Sequence, residues 1–213
     1  MLEKSGGFMM RASLCTVFTA VCLFGLPAVA ESDFEIVVDV LPGTLLISDD
    51  LDSFEVRRPS VEGDFAIVDA EETSLISIVP NVKVGLGFEF DDVYVTPSLG
   101  TGLILNTRFR SWMFRADLAA DWRFGRTGTI GPHIGAITLT DTDWFGDGKV
   151  DFSSDSGFIY GGHVTIGHDI VFVFSVDIID VELDVTTSDG WTANDTNVDL
   201  GGLMLNFGVR GRF

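Results

Sequence analysis

The sequence predicts an all-β fold: a transmembrane, up-and-down, antiparallel β-barrel of eight strands. Three observations predict it. Apolar residues recur with period two along the chain, no stretch beyond the N-terminal leader has a 3.6-residue period, and short connections alternate with long ones. Composition frames the problem. The 213 residues carry 32 acidic and 13 basic side chains, a formal net charge of −19, yet 46% are hydrophobic and mean hydropathy is +0.34. Such a chain is too acidic to hold nucleic acid through its phosphates. It is also too apolar for a disordered acidic tail. Acidity and hydrophobicity must therefore be separated in space.

Residues 1–30 read as a cleaved signal peptide and 31–213 as the barrel domain. Arg11 precedes an apolar run from Ala12 to Leu26, and Pro27-Ala28-Val29-Ala30 supplies an Ala-x-Ala cleavage site. Met9 or Met10 would give the more ordinary start. The run is short of the roughly 20 apolar residues a membrane helix needs. Cys15 and Cys22 both lie in the leader, and neither follows the small residue a lipoprotein acceptor requires. The remaining chain has no thiol, hence no disulfide framework and no cysteine metal site. It keeps 31 acidic and 11 basic residues, because Glu3, Lys4 and Arg11 leave with the leader.

Two segments show the alternation most clearly. In Ile76 to Phe90, one face carries Ile76, Ile78, Pro80, Val82, Val84, Leu86, Phe88 and Phe90. The other carries Ser77, Val79, Asn81, Lys83, Gly85, Gly87 and Glu89. In Trp112 to Phe124, Trp112, Phe114, Ala116, Leu118, Ala120, Trp122 and Phe124 oppose Met113, Arg115, Asp117, Ala119, Asp121 and Arg123. Aromatics at both ends of an apolar face suit the two membrane–water interfaces. Six further strands are drawn at about 34–47, 93–106, 129–140, 158–167, 170–184 and 198–213.

Asp91-Asp92, Gly125 to Gly128 and Gly167 to Asp169 are tight turns of turn-forming residues. Longer links at about 48–73, 107–111, 141–157 and 185–197 fall between them. Periplasmic turns and longer outer loops give this rhythm. Three places strain the pattern. The apolar phase slips between Val176 and Asp184, which calls for a bulge near Ile178 or an exit from the membrane. Pro42-Gly43 interrupts the first strand. Ser53 to Asp69 holds strand-like material that extends a loop hairpin, or raises the count to ten strands.

A soluble eight-stranded barrel of the lipocalin type would turn the apolar face inward. Lys83, Glu89, Arg115, Asp117, Asp121, Arg123, Arg210 and Arg212 share the other face with many glycines. The apolar face, left in water, would far exceed the few hundred Å² of patch a soluble monomer tolerates. In lipid it is the proper surface, and barrel closure pairs every strand edge.

The last strand runs from Val198 to Phe213, with Leu203, Leu205, Phe207, Val209 and Gly211 in phase with the terminal Phe213. A terminal Phe closing an alternating strand resembles the assembly signal of outer-membrane proteins, although Gly211 replaces the aromatic often found there. By size and strand rhythm the chain resembles the small-barrel superfamily of the OmpA transmembrane domain, OmpW and the opacity proteins. That resemblance implies the outer membrane as location, with outer-membrane lipids and lipopolysaccharide as neighbours. It also implies the barrel-assembly machinery as a partner in biogenesis.

No residue is assigned a catalytic, cofactor or metal role. Lys83, Arg115, Arg123, Arg210 and Arg212 face the lumen with Glu89, Asp117, Asp121 and Asp177. An eight-stranded barrel is only wide enough for side chains to fill, so these groups form a plug of paired charges. The functional alternative is a narrow or gated ion path. His133 and His163 with Ser98, Ser175 and Asp177 offer the parts of a nucleophile–base–orienter set. The His-x-Ser-Asn pattern of lipid A deacylases is absent, so both histidines read as hydrogen-bonded fillers. The loop Asp141 to Asp151 has EF-hand-like spacing from Asp143 through Asp147, Gly148, Val150 and Asp151. Phe145 and Ser154 stand where ligands three and twelve belong, which leaves at most weak Ca²⁺ or Mg²⁺ association. Trp144 and Trp191 sit in outer loops, where exposed aromatics can meet a surface ligand or fold back on the barrel mouth. The expected function is a structural or surface-interaction role with a filled lumen. A small channel or a conduit for apolar compounds comes next, and a lipid-modifying enzyme last.

Overall fold

Alternating side chains become a barrel when each strand finds a partner for both of its edges. The computed structural model describes residues 34–47, 54–58, 66–67, 76–146, 149–168 and 170–213. The leader read at 1–30 lies outside them. Glu35–Phe213 form one compact unit. Its first strands are β1 (Phe34–Ile47), β2 (Val56–Arg58), β3 (Ala66–Ile67), β4 (Ile76–Phe90) and β5 (Val93–Leu105). There follow β6 (Phe109–Phe124), β7 (Gly128–Trp144), β8 (Val150–Phe152), β9 (Asp155–Gly167) and β10 (Val171–Asp180). The last are β11 (Glu182–Thr187), β12 (Thr192–Ala193), β13 (Asn197–Asp199) and β14 (Gly202–Arg212).

Eight of these close into a barrel in the order β1-β14-β10-β9-β7-β6-β5-β4. Neighbours in the ring are neighbours in the chain, except where β1 meets β14 to shut it. That is the up-and-down topology, with eight barrel strands rather than ten. The closing seam runs to the chain end, where Phe213 and Ile36 exchange backbone hydrogen bonds of 2.8 and 2.9 Å.

The connections alternate as the sequence predicts. At one end, Asp91-Asp92 joins β4 to β5, with Asp91 at φ 51°, and Gly125 to Thr127 joins β6 to β7. At the other end, three long links fold further. They contribute two small sheets, β13-β11-β8 and β12-β2-β3. The β2–β3 pair is the loop hairpin expected from the strand-like material after Ser53.

Three readings change. First, β1 continues through Pro42-Gly43 as one strand of 14 residues. Pro42 faces outward and Gly43 inward, where a Cβ would overlap Asn206 Oδ1. Second, β10 carries no bulge near Ile178; its register with β14 is unbroken from Val171 to Ile179. The outward series Phe172, Phe174, Val176 and Ile178 simply gives way to Asp180, while the inward series turns apolar at Ile179. Third, the register shifts without any local sequence signal between Arg110 and Trp112 on β6, opposite Asp141 at φ 50°. The loop before it shortens to Asn106 to Arg108, because β6 starts at Phe109.

Candidate functional site

The barrel interior is the candidate site, and the pleat places its residues. Inward positions on β1, β4, β6, β7, β9, β10 and β14 bring Asp39, Lys83, Arg115, Asp117, Asp121, His133, His163, Asp177 and Arg210 into the half of the lumen nearer the short turns. Arg115 donates to Asp117 through Nε (2.7 Å) and Nη2 (3.1 Å), and to Asp177 Oδ2 through Nη1 (3.4 Å). Arg210 clamps Asp39 with two parallel bonds of 2.7 and 2.9 Å, the fork geometry that makes arginine–carboxylate pairs strong. His163 Nε2 lies 3.0 Å from Asp121 Oδ2, and His133 Nε2 lies 3.1 Å from Asp177 Oδ1. The two imidazole rings are 5.6 Å apart.

Amides finish the network. Asn206 donates to Ser175 Oγ (3.1 Å) and to Asp177 Oδ2 (3.0 Å). Asn81 Nδ2 reaches the Leu41 carbonyl at 2.7 Å and Asn206 Oδ1 at 3.0 Å. Each buried carboxylate thus has a cation or imidazole beside it, the condition under which buried charge is tolerated.

One or two inward positions towards the long loops, the lumen changes character. Leu45, Val79, Ile104, Met113, Ile137, Leu139, Ile159, Ile179 and Met204 are all buried there. The same core continues upward through Phe54, Val56, Val150, Leu183, Val185, Val198 and Leu200, which belong to the small sheets and their links. Phe54, Trp144 and Phe152 form a ring cluster with centroid separations of 5.6, 6.1 and 6.2 Å. The long loops are therefore a folded cap seated on an apolar seal.

Outside, the pattern inverts. Ile78, Phe114 and Phe207 are 62%, 50% and 59% exposed, while Arg115, Asp121 and Asp177 inside are 3%, 0% and 0%. Trp122, Phe124 and Phe90 lie near the short-turn end of this apolar belt, and Trp112 and Phe158 near the cap. A closed barrel wearing an apolar belt with aromatic rims is built for lipid. This is a transmembrane β-barrel.

Solved structures of similar shape are small outer-membrane proteins. OprG from Pseudomonas aeruginosa is 11% identical, with a TM-score of 0.46, over 85% of this chain and 97% of that one. Neisserial surface protein A is 11% identical, with a TM-score of 0.44, over 84% and 97%. Ail of Yersinia pestis is 12% identical, with a TM-score of 0.43, over 85% and 100%. No protein-family model and no curated protein matches the sequence.

The barrel brings most of the expected lumen charges together, with exceptions. Arg123 and Glu89 pair at 2.6 Å but at the exposed mouth, and Arg212 stands 4.0 Å from Glu35 there. Tyr94 also binds Glu35, and its hydroxyl occupies the space a Cβ on Gly87 would need. Sequence reasoning missed Asp39, Asn81 and Asn206 as members of the network. Asp39 had a usable signal: it shares the parity of Val37 and Leu41, between the outward-leaning Val38 and Val40. Ser175 binds Asn206 rather than a histidine, and each histidine faces an aspartate. In the cap, Asp143 pairs with Arg110 at 2.7 Å, whose guanidinium lies over Phe145. Asp147 and Gly148 of the calcium-like spacing lie outside the described residues. Among the described residues no group of three or more His, Cys, Asp or Glu is placed to hold a metal ion. Trp144 and Trp191 are half-buried against the cap core. Lys149 is paired with Asp189 at the cap surface, and this carboxylate holds its ammonium above the ordinary lysine pKa.

Proposed function

We propose that this protein is a non-conducting outer-membrane scaffold whose filled barrel presents a folded cap for surface interaction. One observation carries the reading: the lumen is filled twice over, by ion pairs in one half and by an apolar seal in the other, and the cap shares the core of that seal. Both histidines then serve as fillers that orient aspartates, without catalytic duty. Lipids and lipopolysaccharide surround the belt, the assembly machinery inserts it, and a surface ligand meets the cap, where Trp144 and Trp191 stiffen the presenting loops.

A conduit for apolar compounds is the competing reading, favoured by the apolar lining between lumen and cap. Planar-bilayer recording on the purified barrel tests both. The scaffold is expected to stay electrically silent, with or without an alkane-like solute. Stepwise, ion-selective conductance, or solute flux into proteoliposomes, would overturn it.

A further inference from the structure

We propose that the charged half of the lumen binds one water molecule, and that this water joins two otherwise separate ion-pair clusters. The clusters are Asp39–Arg210 on one side and Arg115–Asp117–Asp177 on the other. Lys83 reaches towards both, with Nζ 3.9 Å from Asp39 Oδ2 and 4.0 Å from Asp117 Oδ2. Both separations exceed hydrogen-bond reach, and a polar contact of that length is what a bridging water closes.

A cavity lies at this point, lined by Lys83, Thr96, Asp117, His133 and Arg210, with room for about one water molecule. Thr96 Oγ1, Arg210 Nη1 and His133 Nδ1 are buried and have no protein partner. Cavities that stay dry are apolar, whereas those holding water supply it with two to four polar partners. Here three unpartnered polar atoms belong to residues around one small space, beside an ammonium that needs a nearer acceptor. A water oxygen accepts from Arg210 and Lys83, and its hydrogens serve the hydroxyl of Thr96 and a carboxylate. The apolar seal above makes this a blind pocket, so the water is held as a structural member rather than passed through.

The test uses the full barrel in detergent. A crystal structure is expected to show a density peak within hydrogen-bond distance of Thr96 Oγ1 and Arg210 Nη1. Thr96→Val keeps the shape and removes one partner, so the temperature at which the folded, unboiled gel band disappears should fall. A cavity without density overturns the proposal. So does a midpoint that rises or stays put in Thr96→Val, because deleting a truly solitary buried hydroxyl relieves the fold instead of harming it.

Discussion

On β6, Arg115 and Met113 are consecutive inward positions, yet they sit in opposite surroundings. Arg115 is held between Asp117 and Asp177 by charge-assisted hydrogen bonds. Met113 belongs to the buried apolar cluster that also holds Ile104, Ile137 and Met204. The same change occurs on β10 between Asp177 and Ile179, and on β4 between Asn81 and Val79. What stays constant through this change is the outward face, which remains apolar up to the end of the belt. Lipid therefore fixes the outside of each strand, while the inside must only be filled and its polar groups satisfied. Beyond Asp180 the outward positions Glu182 and Asp184 are polar and the inward Val181 and Leu183 apolar, as in a protein surrounded by water.

The largest test of that contrast is Arg115→Ala. It leaves two buried carboxylates short of their cation, and loss of one partner from a buried pair costs about 3–5 kcal/mol. Denaturant titration of the refolded barrel in detergent should show the folded fraction lost at markedly lower urea. A midpoint equal to wild type would mean that water, not arginine, satisfies those carboxylates.

Met113→Ala examines the other half. It removes packing without leaving a charge, and large-to-small changes in a tight core cost roughly 2–5 kcal/mol. Because the seal is shared with the cap, this variant should also make cap loops more easily cut by protease. Unaltered digestion would separate cap from seal and place the boundary between them below the cap. The smallest effect belongs to Arg123→Ala at the turn-end mouth. Its partner Glu89 is exposed, and such pairs contribute about 0–1 kcal/mol. A loss comparable to that of Arg115→Ala would show that the mouth, not the mid-lumen, carries the network.

How legible these regions were in the sequence differs for physical reasons. The faces of β4 and β6 could be read residue by residue, because lipid imposes strict alternation outside and polar residues mark the inside. Where the inside turns apolar, both faces become hydrophobic and the alternation vanishes; Val176 to Asp184 then looks like a phase slip although the register with β14 is unbroken to Ile179. Asp39 went unnoticed because Pro42-Gly43 obscured the parity of its strand. The cap was nearly invisible. Apart from the β2–β3 hairpin, its strands are short and several pair across distant parts of the chain, as β12 does with β2 and β11 with β8, so no local pattern announces them. Partnerships inside the lumen, such as Asn81 with Asn206, depend on barrel closure and have no local signature at all.

The link from β10 to β14 supplies β11 and β13 to one cap sheet and β12 to the other, and Asn194 there bonds Glu55 across 139 positions of sequence. Contacts between such distant residues repay their loop-closure entropy late, so they form slowly relative to local hairpins. The cap thus belongs, with the β1–β14 seam where Val37 meets Arg212, among the contacts that follow the local hairpins. A folded cap is then a record that distant parts of the chain have met.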